Sequence, residues 1–345
     1  MHILLSKLLR ECDQHALWIA DENSKALLVT GIEFAGHLLS NRWDIVCTAT
    51  AIGIPASFSD FDLASHETKF SRIVYPVSKE KAIVHHVINS AVETLEDSGE
   101  LLLIGEKSSG IKTYAQKAAL RLGSSKQLQK HGSDYLSIHR FNASAAGVPL
   151  DDSGYTSLRQ PEILGGLWSK PGLFGWNKID VGSALLADQL CAELPSDNTG
   201  ALNIVDLGCG YGYLSARVAA LASSPEQWRI QATDNNAAAI RACRDNFRAL
   251  GINGSVTAGD AGSEIASDSA DLLLCNPPFH QGFQVEGDLT ERFLQQAARI
   301  LRTDGKAYFV VNEFIPIPRK AAGLFRNVNL LAKEKGFCVY RLSEL

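Results

Sequence analysis

Asn276-Pro277-Pro278-Phe279 stands directly after the apolar run Asp271-Leu272-Leu273-Leu274-Cys275. An amide oxygen, a stiff proline backbone and an aromatic ring at a strand end suit methylation of an exocyclic amine on a nucleobase. Such an amine is a poor nucleophile because its lone pair is delocalised into the ring. Acceptors placed on its two N–H groups oppose that delocalisation and aim the lone pair at an electrophilic methyl. The Asn276 side-chain oxygen and the Pro277 carbonyl would be those acceptors, the prolines would hold the loop rigid, and Phe279 would offer a stacking face to an extruded base. No strong base is needed, because transfer leaves the amine cationic and its proton departs to water. The plainer reading of the same four residues is a proline turn that closes a strand.

A methyl donor needs a cradle, and Val205-Asp206-Leu207-Gly208-Cys209-Gly210-Tyr211-Gly212 offers one. Glycines after a strand let the backbone turn sharply and approach a ligand at the carboxyl edge of a parallel sheet. A dinucleotide fingerprint would place its third glycine where Tyr213 sits, so G-x-G-x-G behind Asp206 favours S-adenosylmethionine over NAD. Asp234 ends the run Arg229-Thr233, where a carboxylate can accept both ribose hydroxyls; helix N-capping before Asn235-Ala239 is the alternative. Asp260 in Gly259-Asp260-Ala261 suits the adenine amino group, or else is a turn aspartate.

These residues imply elements to carry them. Short β-type runs alternate with helical patterns, the mark of an α/β fold with a largely parallel sheet. The expected strands are Ala16-Ile19, Asp44-Thr48 and Leu101-Ile104, then Asn203-Asp206, Arg229-Thr233, Ser255-Ala258, Asp271-Cys275 and Ala307-Val311; a helix is expected over Tyr213-Leu221. Phe141-Lys178, rich in Gly, Ser, Asp and Pro, has no clear period, which sets a boundary near residue 150 between domains 1–150 and 151–345. A chain of 345 residues with 46% hydrophobic and 21% charged residues has room for two such cores.

Composition narrows the setting. The net charge of −5 gives no global sign of nucleic-acid binding, so any basic surface is local. Residues 107–140 hold Lys107, Lys112, Lys117, Arg121, Lys126, Lys130 and Arg140 against the single acid Asp134, either a phosphate-contacting surface or a solvated helix face. Seven cysteines without C-x-x-C spacing argue for a reducing cytoplasm and against a structural metal. MHILLSKLLRECD reads as an amphipathic helix, and no apolar run reaches the roughly 18 residues of a membrane span. A soluble, cytoplasmic monomer is expected.

The chain also echoes itself. Leu95-Glu96-Asp97-Ser98-Gly99-Glu100-Leu101-Leu102-Leu103-Ile104 lines up without gaps on Leu301-Arg302-Thr303-Asp304-Gly305-Lys306-Ala307-Tyr308-Phe309-Val310, a helix end, a glycine turn and a strand in each. Upstream, Tyr75-Pro76 stands roughly where Asn276-Pro277 stands. Duplication with loss of the first copy's chemistry is one reading; convergence on a generic turn is the other.

Taken with Pro171-Gly172-Leu173-Phe174, Asp180-Val181-Gly182-Ser183 and Ile104-Gly105-Glu106-Lys107-Ser108-Ser109-Gly110-Ile111, the motifs give a sequence that resembles the small-subunit ribosomal RNA methyltransferase C family over nearly its whole length. The Ile104-Ile111 segment looks less like the related guanine-N2 methyltransferases that act on 23S rRNA, which share the Asn-Pro-Pro-Phe-His core. The resemblance implies tandem Rossmann-like class I methyltransferase folds, the N-terminal one degenerate, and methylation of a guanine N2 amine in 16S rRNA, within the small ribosomal subunit. It implies Gly208 and Gly210 at the methionine end of S-adenosylmethionine, Asp234 at its ribose and Asp260 at its adenine, with Asp206 and Asn276 also expected in the cofactor site, and Asn276, Pro277 and Phe279 at the target amine. Lys107, Lys112, Lys117, Arg121, Phe174 and His280 are the expected RNA contacts, with His280 equally readable as a wall residue. Trp176-Asn177-Lys178 departs from the family pattern. Methylation of 23S rRNA, DNA adenine or protein glutamine are alternatives within the chemistry; an NAD oxidoreductase and a non-catalytic RNA-binding protein are alternatives outside it.

Overall fold

The computed structural model describes residues 2–65, 68–194, 200–224, 226–278 and 283–344, with the backbone alone described at 283–288. The chain divides into two compact units, Met1–Ser157 and Leu158–Leu345. The division lies beyond the boundary expected near residue 150 because the intervening residues are fastened to the first unit. His85 Nδ1 binds the Asp151 carbonyl and the Tyr155 hydroxyl binds Asp60.

The first unit holds helices α1 (His2–Arg10), α2 (Lys25–Thr30), α3 (Trp43–Ala51), α4 (Lys81–Thr94) and α5 (Ile111–Leu122). Its strands are β1 (Ala16–Ala20), β2 (His37–Ser40), β3 (Ala56–Phe58), β4 (Phe70–Pro76), β5 (Leu95–Glu106), β6 (Leu128–His131) and β7 (Asp134–Arg140), in sheet order β3-β2-β1-β4-β5-β7-β6. The second unit holds α6 (Val181–Glu193), α7 (Tyr213–Ala219), α8 (Ala237–Leu250), α9 (Phe283–Ile300) and α10 (Ile317–Lys320). Its strands are β8 (Leu202–Leu207), β9 (Trp228–Asp234), β10 (Gly254–Ala258), β11 (Ala270–Cys275), β12 (Leu301–Asn312), β13 (Asn327–Glu334) and β14 (Phe337–Ser343), in order β10-β9-β8-β11-β12-β14-β13. The two orders are the same, and in each sheet the last strand in chain order, β7 or β14, pairs antiparallel with both of its neighbours.

Central strands covered on both faces should be apolar throughout, and β1 is buried at all five positions. Alternate residues of β11 serve opposite cores: Leu272 and Leu274 join Ile204, Ile230 and Tyr308, while Leu273 and Cys275 join Val205, Leu207 and Phe309. Cys209, Cys243, Cys275 and Cys338 are all buried in the second unit, whereas Cys47 and Cys191 are exposed.

One expected strand is wrong. Asp44-Thr48 lies inside helix α3, and the strand of that region is β2. The β-branched run suggests a strand, but Ile45, Val46 and Ala49 fall on one helical face and are buried there. Asp44 in the first turn meets the helix dipole favourably and binds Lys25 Nζ at 2.6 Å.

The internal echo becomes a correspondence of register. β4 pairs β5 through Phe70↔Leu95 and then, after a bulge, Arg72↔Glu100; β11 pairs β12 through Ala270↔Leu301 and then Leu272↔Lys306. The expected glycine turn is thus a bulge within a strand in both units. Following the registers outward, Trp18 stands where Asp206 stands and Ser40 where Asp234 stands. Pro76 occupies the place of Asn276, so the expected match of Tyr75-Pro76 to Asn276-Pro277 moves by one residue. The first unit is degenerate at these three positions.

Candidate active site

At the carboxyl end of β8 the chain reverses through Gly208, Gly210 and Gly212, with φ of 79°, 54° and 88°. These are left-handed values that cost a side-chain-bearing residue energy, so the glycines are required by the path. A Cβ built on Gly210 would meet nothing within 4 Å, which leaves that backbone open to close approach. The Gly208 and Cys209 amides both donate to the Thr233 carbonyl, at 2.9 and 3.0 Å, and tie the loop to the end of β9.

Asp234 fixes the same loop from its side chain. Its Oδ2 accepts from the Gly210 amide at 2.9 Å and its Oδ1 from the Asn236 amide at 2.8 Å. The N-cap of α8 is Asn236, whose side chain accepts from Ala238, so Asp234 is not the cap. The two backbone donors instead set the orientation of the carboxylate beside the glycines.

Asp206 lies beneath the loop, 1% exposed. Its Oδ2 accepts from the Ser215 amide at 3.0 Å and the Ser215 hydroxyl at 2.6 Å, while Oδ1 is buried with no partner among the described residues. Burial pushes its carboxyl up to about 6, against the two Ser215 hydrogen bonds. Asp206 therefore fastens α7 to β8 under the glycines.

After β10, Asp260 meets Arg292 of α9 in a two-pronged ion pair at 2.8 and 2.5 Å. No local pattern marks Arg292, because its partner is distant in the chain and only the packing of α9 brings them together.

Asn276 ends β11. Its Nδ2 donates to Asp180 Oδ2 at 2.9 Å and to Ser183 Oγ at 2.7 Å, and its Oδ1 is buried with no partner among the described residues. An ionised carboxylate only accepts, so the amide nitrogen must face Asp180 and the oxygen must point away. Asp180 is itself the N-cap of α6, accepting from the Ser183 amide at 2.8 Å. Gly182 between them has no room for more, since a Cβ would lie 2.9 Å from the Phe337 ring and 3.2 Å from Asp180 Oδ2. Asp-Val-Gly-Ser is thus a clamp for the Asn276 amide. Its sequence signal, a capping residue three places before a serine, marks a helix start but not what else the cap holds. Pro277 is buried and Pro278 exposed, while Phe279 and His280 lie outside the described residues.

The expected RNA contacts fare unequally. Lys107 and Lys112 are exposed, with Lys112 Nζ 5.0 Å from the centre of the Tyr135 ring. Lys117 Nζ is turned onto His85 Nε2 at 2.9 Å. Arg121 is 9% exposed and donates to the Gly147 carbonyl at 2.8 Å, because its position on α5 faces the core. Phe174 is 53% exposed. Among the described residues no cluster of His, Cys, Asp and Glu could hold a metal ion, and no helix is long and apolar enough to cross a membrane.

Residues 165–341 match the family described as Methyltransferase small domain. Proteins named Ribosomal RNA small subunit methyltransferase C are similar over most of the chain. That of Shewanella pealeana is 27% identical over 93% of this chain and 91% of its own, and that of Erwinia tasmaniensis 28% over 87% and 83%. The solved T. thermophilus 16S rRNA N2 G1207 methyltransferase, in complex with AdoMet and guanosine, shares this fold at a TM-score of 0.82, with 21% identity, across 100% of this chain and 91% of its own.

Proposed function

Because the chain belongs to the methyltransferase small domain family, we propose that its second unit methylates the N2 amine of a guanine in 16S rRNA, with S-adenosylmethionine as donor. The observation that carries this reading is the Asn276 amide. Two donors pinned to Asp180 and Ser183 leave one buried, unpaired oxygen at the strand end. A buried acceptor with no partner among the described residues gains most when an N–H group arrives.

The residues present fit the donor. Gly210 leaves its backbone open, Asp234 sets an oriented carboxylate beside that loop for the ribose hydroxyls, and the Arg292 fork holds the Asp260 carboxylate in place for an amino group. When bound, S-adenosylmethionine supplies a methyl group on a sulfonium, an electrophile that a neutral amine can attack. Asn276 Oδ1 and the Pro277 carbonyl accept from the guanine amine and turn its lone pair toward that methyl. As the new N–C bond forms and the C–S bond breaks, positive charge passes to nitrogen, and the proton then leaves to water. Phe279 is proposed to stack on the base.

The names of the curated relatives and of the T. thermophilus structure support 16S rRNA as substrate. Exposed Lys107 and Lys112, with Lys126, Lys130 and Arg140, are proposed to contact its phosphates, and Phe174 to touch the RNA. We place the enzyme in the cytoplasm as a monomer acting on the small ribosomal subunit. The test is methyl transfer to small ribosomal subunits and naked 16S rRNA from cells lacking the gene, with mass mapping of the product. N2-methylguanine at a single 16S position is expected; methyl groups confined to 23S rRNA, DNA or protein would overturn the assignment.

A further inference from the structure

The first unit has lost three of the positions that the second presents to its donor, yet it keeps one acid. Asp60 follows β3 as Asp260 follows β10, two places beyond the strand-end residues Phe58 and Ala258. The next residue in each unit is a non-glycine in the left-handed region, Phe61 at φ 53° and Ala261 at φ 50°. Helix α4 runs directly into β5 as α9 runs into β12, and counting back from those junctions sets His86 against Arg292.

The partners differ. Arg292 grips Asp260, whereas His86 turns Nε2 to the Phe61 carbonyl at 2.9 Å. The Asp60 carboxylate is met by the Tyr155 hydroxyl, which donates to Oδ1 at 2.7 Å. The Tyr155 ring is 1% exposed, lies against the His86 imidazole at 5.0 Å and 32°, and packs in the core with Leu39, Phe61 and Tyr75. A planar ring carrying a hydrogen-bond donor thus sits where the proposed function puts adenine and its amino group in the other unit.

We infer that the first unit retains a pocket for an aminopurine ring and that Tyr155 fills it as a built-in ligand. The inference rests on the reading that Asp260 takes the adenine. A tethered occupant competes at an effective concentration of order millimolar or more, so a weakly held nucleoside has no access. Nor does the rest of the cradle survive. Ala20-Asp21-Glu22 stand in place of Gly208-Cys209-Gly210, with Asp21 extended at φ −117°, and Ser40 replaces the ribose-binding acid.

The test uses the full chain at saturating S-adenosylmethionine, so that the second unit's site is filled, with free adenine as probe. Tyr155→Ala should melt below the wild type and regain roughly 3 °C or more on adding adenine at about ten times its dissociation constant. The wild type and the Asp60→Ala, Tyr155→Ala double variant should not respond. An equal response in single and double variants would overturn the pocket. If Tyr155→Ala does not fold, Tyr155→Phe keeps the ring and removes only the donor. A loss of roughly 3–8 °C supports the hydrogen bond to Asp60 as the anchor, and an unchanged melt refutes it. Asp260→Ala reads the other premise separately: unchanged affinity for S-adenosylmethionine would remove the adenine assignment whatever Tyr155 does.

Discussion

Asn276 is half-buried and Asp206 fully buried, and among the described residues each has one buried side-chain oxygen without a partner, but they make opposite predictions. At Asn276 the unpaired atom faces the reaction, so Asn276→Ala should cut methyl transfer by about 100-fold or more while cofactor affinity stays within a few-fold. Equal loss in both would mean the amide serves the cofactor instead. Ser183→Ala removes one of the two acceptors on the amide nitrogen and should lower kcat with little change in KM. At Asp206 the unpaired atom is a cost. Its folded carboxyl titrates at about 6, above the usual 3.8, so the native state binds the extra proton between those values. Stability should then fall as pH rises through that window, by about 3 kcal/mol, and the penalty persists above it. Asp206→Asn should therefore melt higher than the wild type at about pH 8, with the gap narrowing through the window and closing near pH 3, below the usual value. A constant difference at both values would show that the carboxyl is not the titrating group.

At the scale of elements, the clamp on α6 ties a helix start to a strand end, and Gly182 is where the tie is tightest. Gly182→Ala drives a methyl into the Phe337 ring and toward the Asp180 carboxylate, which should cost about 1–3 kcal/mol and displace the cap from Asn276. Thermal melting and single-turnover transfer should fall together; a stable but fully active variant would refute the clamp. Here the limits of sequence reading show. The strand-end motifs were legible because each announces itself locally: a glycine path, an acid after a strand, a proline loop. Asp180 and Ser183 were visible only as part of a resemblance, since a capping pattern does not reveal that its carboxylate also holds a residue far along the chain. Arg292 was invisible for the same reason. Asp44-Thr48 misled because β-branched composition outweighed a helical burial pattern that only packing reveals. Arg121 looked like one more cation in a basic stretch, and its place on the inner face of α5 depends on a helical phase that charge counting ignores.

For the whole molecule, the proposed RNA surface of the first unit can be tested apart from the chemistry proposed for the second. Replacing Lys107 and Lys112 with Gln should raise KM for RNA and reduce the salt slope of binding by about 1–2, with kcat at saturating RNA retained. Arg121→Ala should instead lower the melting temperature, since it removes the bond to Gly147. An unchanged salt slope in the double lysine variant would send the search for the RNA surface elsewhere. The scattered thiols have a use of their own. Every fully buried cysteine belongs to the second unit, and neither of the two exposed ones is needed to see them. With Cys12, Cys47 and Cys191 replaced by Ser, a pulse of alkylating reagent would mark Cys209, Cys243, Cys275 and Cys338 only when the second unit opens. The chain thus carries a chemical clock that times the unfolding of its catalytic half while largely ignoring the other.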